Sequence, residues 1–182
     1  MRVIGGTAKG RKLEGVPGDS TRPVLDRVRT AVFDILRPRL ADCRVLDLFA
    51  GTGSIGIEAL SQGASTCVFL DLEKRAIQTI NKNLQTTELA ARARVKHMDA
   101  FRFLKTTKDS FDLIYVAPPQ YKSIWSEALM MIAERMHILA DGGLILVQID
   151  PKEYEELGLA ELKETRQKRY GNTLLVFYER TD

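Results

Sequence analysis

The chain has 182 residues, 45% of them hydrophobic and 28% charged, a balance that excludes a fibre or a disordered tail protein. Its two cysteines, Cys43 and Cys67, are too few and too far apart for a disulfide framework or a zinc site. The net charge of +3 is uneven, because residues 1–29 carry seven basic and three acidic side chains and the rest sums to about neutral. That asymmetry suits either a basic arm meeting a polyanion or a plain solvated segment.

In chain order, Arg2 to Leu13, with Gly5-Gly6 and Lys9-Gly10, predicts a small hairpin. Val24, Val28, Ala31, Val32 and Ile35 recur at helical spacing and predict a helix ending near Pro38. This prelude, residues 1–40, is too short for a domain and is expected to pack as an extension on residues 41–182. Residues 43–49, 67–71, 93–98, 111–116 and 143–149 are short apolar or β-branched runs, the pattern of strands buried on both faces of a parallel sheet. Between them a helix is expected from Ser54, another through Ala76, Ile77, Ile80 and Leu84, and a third near Phe101. A fourth runs through Trp125, Ala128, Leu129, Ile132, Met136 and Leu139, stopped by Asp141-Gly142-Gly143. Alternation of this kind implies right-handed βαβ units in an open α/β sheet. Residues 161–168 and 173–180 flank Tyr170-Gly171-Asn172, and predict an antiparallel hairpin closing an otherwise parallel sheet.

The strongest chemical signal is Asp47-Leu48-Phe49-Ala50-Gly51-Thr52-Gly53-Ser54-Ile55-Gly56, a strand running through a glycine turn into a helix. Glycines there admit a ligand close to the backbone. The spacing Gly51-x-Gly53-x-x-Gly56, with Asp71 closing the next strand, is also the literal dinucleotide fingerprint. Asp47 at the mouth of the loop would repel a pyrophosphate and suit a ligand bearing an ammonium and a sulfonium, which describes S-adenosyl-L-methionine. Asp71 is placed for its ribose hydroxyls. Asp99, after the third strand, is placed either for the adenine amino group or to cap the helix near Phe101. The candidate cofactor residues are Asp47, Phe49, Ala50, Gly51, Gly53, Asp71, Leu72, Asp99 and Ala100.

A second constellation, Ala117-Pro118-Pro119-Gln120-Tyr121, follows the fourth strand. Ligands of open α/β sheets bind beyond the carboxyl ends of the strands, so this segment faces the same crevice. Two prolines remove two N–H donors and fix φ, which aims the local carbonyls.

The glycine loop followed by a diproline turn resembles the class I methyltransferases that modify exocyclic amines of nucleobases. Arg2-Val3-Ile4-Gly5-Gly6 with Gly10-Arg11 and Leu13, and Thr21-Arg22-Pro23-Val24-Leu25-Asp26-Arg27-Val28-Arg29, more specifically resemble the RsmD family of bacterial 16S ribosomal RNA guanine-N2 methyltransferases. The likeness implies a class I methyltransferase (Rossmann-like) sheet over residues 41–182, S-adenosyl-L-methionine as cofactor, and the guanine at position 966 in a small-subunit assembly intermediate as substrate. It assigns catalysis to Ala117, Pro118, Pro119, Gln120 and Tyr121. The family's turn begins with Asp where this chain has Ala117, and its aromatic is displaced by one, to Tyr121. The Pro118 carbonyl and the Gln120 amide are the remaining acceptors for a guanine amine, Tyr121 is a stacking platform, and Trp125 reads as core. Arg2, Lys9, Arg11, Lys12, Arg22 and Arg27 are the candidate phosphate contacts. A catalytically impaired RNA-binding relative and a nicotinamide oxidoreductase are the alternatives. No metal is expected, nor a membrane span, since no apolar run approaches roughly 18 residues. A monomer in a reducing compartment, the cytoplasm or a plastid stroma, completes the expectation.

Overall fold

The computed structural model describes residues 1–18 and 25–182. In chain order the elements are α1 (Asp26–Leu36), β1 (Arg44–Asp47), α2 (Ser54–Ser61), β2 (Thr66–Asp71), α3 (Lys74–Thr87), β3 (Ala93–His97), α4 (Ala100–Thr106), β4 (Phe111–Val116), α5 (Ile124–Glu134), β5 (Leu139–Ile149), β6 (Leu162–Tyr170) and β7 (Thr173–Arg180). The strands form one sheet in the order β3-β2-β1-β4-β5-β7-β6. β1 to β5 are mutually parallel, and β7 runs antiparallel between β5 and β6.

Side chains of a strand alternate between faces, and the sheet is apolar on both. Val45, Phe69, Leu113, Tyr115, Leu146 and Phe177 face one core with α1, α2 and α3. Leu46, Val68, Ile114, Val147 and Val176 face the other with α4 and α5. Trp125 lies in that second core, its ring stacked on Tyr154 at 6.5 Å between centroids. Among the described residues no helix is long and apolar enough to cross a membrane.

The N-terminal segment belongs to the first core. Val3, Ala8 and Leu13 of the hairpin and Val28, Val32, Phe33 and Leu36 of α1 are buried there. The hairpin is anchored on α2. Glu58, wholly buried, accepts the N–H groups of Ile4 (2.9 Å) and Gly5 (2.8 Å) and the Gln62 side-chain amide (2.7 Å). Gly6 turns at φ +76°, where a Cβ would stand 1.7 Å from the Ser61 carbonyl oxygen, so only glycine fits. Arg29 of α1 is also buried. Its guanidinium donates to Arg2 O and to Asp26 Oδ1 (3.0 Å) and lies 3.9 Å from Glu58.

Two elements differ from expectation. The helical period through Met136 and Leu139 does not hold: α5 ends at Glu134, a 3-10 turn covers Met136–Ile138, and β5 already begins at Leu139. Pairing with β4 passes from Phe111↔Leu139 to Leu113↔Leu144, so Asp141-Gly142-Gly143 is a bulge inside β5 rather than the stop of a helix. The first strand ends at Asp47 rather than at residue 49, because Leu48 and Phe49 already lead into the glycine loop. Val24, read as part of the first helix, lies outside the described residues.

Removing the Glu58 carboxylate would strip the hairpin of its anchor and leave the buried Arg29 guanidinium with the exposed Asp26 as its remaining carboxylate partner. Glu58→Ala is expected to lower the unfolding free energy by about 3–5 kcal/mol, the usual cost of breaking a buried pair. Urea denaturation checks this, and a loss below about 1 kcal/mol would show that the Glu58 anchor does not hold the fold.

Candidate active site at the β1/β4 switch point

Strand order reverses between β1 and β4, with β2 and β3 on one side and β5 on the other. In open parallel sheets the crevice forms beyond the carboxyl ends at such a point. The glycine loop leaves β1 and the diproline turn leaves β4, and Asp47 is directly paired with Tyr115, two residues before Ala117. The two motifs therefore emerge side by side.

The loop is tied to both flanking strands. Leu48 N–H donates to Tyr115 O (3.1 Å) and Ala50 N–H to Leu70 O (2.8 Å). Gly51 and Gly53 hold φ of +57° and +77°, and a Cβ on Gly53 would stand 3.2 Å from Ile80. A Cβ on Gly56 would meet Phe69 at 2.3 Å, so the third glycine serves close packing of α2 on β2. Asp71 clamps the bend: Oδ2 accepts Gly51 N–H (2.8 Å) and Oδ1 accepts Glu73 N–H (2.9 Å). Met98 N–H donates to Asp71 O (3.1 Å), which draws the segment after β3 alongside. There Asp99 caps α4 through Oδ1, accepting Arg102 N–H at 2.9 Å. Asp71 and Asp99 are half-buried, and each carboxylate retains acceptor capacity beyond these bonds. Leu72, 62% exposed, and the half-buried Phe49 supply apolar surface at the loop, whereas Ala50 and Ala100 are buried.

Asp47 stands elsewhere than at the mouth. Its side chain is 1% exposed and turned beneath the loop, where Oδ2 accepts Gly56 N–H (3.2 Å). Burial, with a smaller contribution from the Asp71 charge, raises its carboxyl pKa to about 7. The acid that faces the crevice at the loop is Asp71. Asn83 of α3 was missed. Its buried amide donates to Thr52 O (2.9 Å) and Glu14 O (3.0 Å) and accepts Glu14 N–H (2.8 Å), joining the loop to the N-terminal arm. A polar side chain beside Ile80 and Leu84 on the apolar stripe of α3 was the available signal.

After β4, Ala117 and Pro118 are half-buried, and Pro119, Gln120 and Tyr121 are exposed. Tyr121 holds φ +61° and Ser123 φ +53°, conformations that bulky residues adopt only when their surroundings impose them. The turn after β5 imposes it here. Tyr121 N–H donates to Glu153 Oε1 (2.7 Å) and its hydroxyl to Asp150 Oδ2 (2.8 Å), leaving the residue 63% exposed. Asp150 and Glu153 are themselves locked as a capping box on the turn Pro151–Glu153.

The basic residues divide. Strands β2 and β3 begin where α2 and α3 end, so those helix ends lie at the edge opposite the crevice. Arg11 is held there, donating to Thr86 O (2.7 Å) and pairing with Glu88 (3.1 Å), a cation satisfying a helix C-terminus. Lys9 lies in the hairpin turn docked on Ser61, and Arg2 donates to Gly10 O (2.8 Å). Lys12, paired with Arg2, is exposed on the same hairpin. Arg27 is different, since its guanidinium reaches 3.8 Å from a Cβ position on Gly171, at the turn between β6 and β7. Arg22 lies outside the described residues.

A sheet of this order, with a glycine loop after β1 and one antiparallel strand near the far edge, defines a class I methyltransferase fold. The family model described as conserved hypothetical protein 95 matches residues 1–179. A Bacillus subtilis protein, YlbH, named provisionally as an rRNA methyltransferase, is 39% identical over 99% of both chains. Ribosomal RNA small subunit methyltransferase D of Escherichia coli is 32% identical over 99% of this chain and 90% of its own. An Escherichia coli structure, provisionally the methyltransferase yhhF, superposes with a TM-score of 0.89 at 33% identity, covering 99% of this chain and 97% of the other. The chain belongs to this family, the RsmD-family methyltransferases.

A buried Asp with a raised pKa stabilises the fold fully only below its unfolded value near 4, and that contribution is lost as pH rises through about 7. Asp47→Asn keeps an acceptor for Gly56 N–H and removes the titration. Relative to the parent, the variant is expected to gain stability between pH 4 and 7 and level off above, by no more than about 4 kcal/mol. Urea titrations across that range check it, and a difference independent of pH would contradict the burial argument.

Proposed function

We propose that this chain transfers a methyl group from S-adenosyl-L-methionine to the exocyclic N2 of a guanine in 16S ribosomal RNA, the position-966 guanine of a small-subunit assembly intermediate. The observation that carries this reading is the emergence of the glycine loop and the diproline turn from adjacent strands at one crevice. Membership of a family whose relatives are named for small-subunit rRNA methylation supports the substrate class.

The residues present fit the cofactor. Two half-buried carboxylates with acceptor capacity to spare suit a nucleoside's hydroxyls and amino group, and the glycine bend leaves backbone exposed where side chains would collide. Asp71 would hold the ribose, Asp99 the adenine amino group, and Leu72 and Phe49 the flat faces. When bound, the sulfonium supplies an electrophilic methyl group.

The rest of the chemistry is positioning by this chain's own atoms. A guanine amine is a poor nucleophile because its lone pair is delocalised into the ring. Acceptors on its N–H groups localise that pair for in-line attack on the methyl carbon; the thioether would leave as the methyl is taken up, N2 would give up one proton to solvent, and no covalent intermediate forms on the protein. The Pro118 carbonyl and the Gln120 amide oxygen are the acceptors this turn offers, in place of the family's Asp. One missing charge-stabilising hydrogen bond is worth roughly 10²–10³ in rate, so Ala117 makes a slow enzyme the expected form. A base buried in RNA structure has to be unstacked to enter, and the Tyr121 ring receives it. The chain acts as a monomer in the cytoplasm on this reading.

Incubation with tritiated S-adenosyl-L-methionine and small subunits lacking the modification is expected to label 16S RNA at one guanine, located by mass mapping. No label above background on free, partly assembled or complete subunits would overturn the proposal. Tyr121→Ala is expected to lower kcat/KM by about 1–3 kcal/mol, the worth of one stacked base, with adenosylhomocysteine affinity unchanged.

A further inference from the structure

The register Ile149↔Leu174 brings the start of β7 to the carboxyl end of β5, so the hairpin turn Tyr170-Gly171-Asn172 stands at the crevice edge. It adjoins Asp150, whose carboxylate holds the Tyr121 hydroxyl and feels the charge of Arg169. Arg27, at the start of α1, reaches the same turn. The strand leading into it is LKETRQKRY, with four basic side chains and one acidic. The acidic residue, Glu164, is occupied by the Tyr154 hydroxyl (2.7 Å) and the Gln167 amide (2.6 Å).

β6 is an edge strand whose residues Lys163 to Gln167 are all exposed. Arg166 and Lys168 pair with Phe177 and Leu175, whose side chains belong to the α1 face, and Arg169 pairs with Leu174 on the other face. The Arg166 guanidinium carbon lies 5.8 Å from the Phe177 ring centroid, a cation–π contact that orients the head while the residue stays exposed. Among the described residues Arg27, Arg166, Lys168 and Arg169 take part in no ion pair; Arg2, Lys9 and Lys12 of the N-terminal hairpin take part in none either, but that hairpin docks at the ends of α2 and α3 opposite the crevice, and its Arg11 is committed to Glu88. Cations at two-residue steps along a strand repeat at roughly 6.6 Å and present donors in a line, the arrangement that suits successive phosphates.

We propose that the exposed edge of β6, through Arg166 and Lys168 and continuing to Arg27 at the hairpin turn, is the track that carries the RNA backbone to the crevice. This surface rests on the RNA reading above and replaces the N-terminal hairpin as the main phosphate contact. Charge on an edge strand also discourages strand-to-strand association, but Arg27 belongs to a helix and adds to the same line.

The test is Arg166→Gln/Lys168→Gln, which spares Arg169 because its Nε supports the turn at Gly171 O (3.0 Å). Lys105→Gln/Lys108→Gln, at the end of α4 on the opposite edge, is the charge-matched control. Binding of a 16S RNA transcript is measured at several salt concentrations, with adenosylhomocysteine affinity and gel filtration alongside. The β6 variant is expected to bind RNA about tenfold more weakly at low salt. Its log K against log salt should be shallower by about 0.7–0.9 for each phosphate that is no longer neutralised, with adenosylhomocysteine affinity and monomer state retained. The control is expected to stay within twofold of the parent. An unchanged affinity and slope would overturn the proposal. So would the same weakening from Lys9→Gln/Lys12→Gln instead, or self-association of the β6 variant without an RNA defect. If the parent chain binds no transcript, the RNA reading itself falls and this surface with it.

Discussion

One backbone N–H given to one carboxylate shapes the crevice. Gly51 turns into the left-handed region only because glycine permits it, and Asp71 at the end of β2 captures its N–H at 2.8 Å. That bond ties the loop after β1 to the neighbouring strand, and Ala50 N–H to Leu70 O doubles the tie. On the β4 side Leu48 N–H bonds Tyr115 O, and the diproline turn leaves β4 two residues further on. A carboxylate on β2 therefore helps to fix the loop that leaves β1 beside the turn that leaves β4.

The N-terminal arm extends the same constraint outward. Glu58 and Ser61 fasten the hairpin to α2, and Arg29 fastens α1 to the hairpin's first strand. Asn83 then joins Glu14 to Thr52 of the glycine loop. Arm and loop are therefore bonded to the same side chain. On the far side of the crevice Asp150 and Glu153 hold Tyr121 in a backbone conformation it would not adopt alone. Both walls are built from local turns made rigid by acceptors that come from distant sequence.

Much of this was legible in the residues. The five parallel strands, the glycine loop and the C-terminal hairpin follow from runs, periods and turn residues that act locally. What escaped was set by partners far along the chain. Asp141-Gly142-Gly143 reads as a helix stop, yet its role as a bulge depends on register with Phe111. Asp47 reads as a mouth-lining acid because motif position says nothing of side-chain direction, and packing beneath α2 buries it. Arg11 reads as an RNA contact until Glu88 and Thr86 appear beside it. Asp99 as a helix cap was one of the two roles its position allowed, and the structure supplies that bond without using the second oxygen. Charge counted by segment pointed to the N-terminus; among the described residues ion pairs take up Arg11 and Arg29 there and Lys163 on β6, and leave Arg166, Lys168 and Arg169 beside the hairpin turn.

The central claim is that the glycine bend and the diproline turn form the two walls of a single ligand site. A crystal structure with adenosylhomocysteine bound tests it most directly. The account predicts the nucleoside against Asp71 and Leu72, with its sulfur directed at the Pro118 carbonyl. A nucleoside lodged elsewhere, or a sulfur pointing away from the segment after β4, would contradict it.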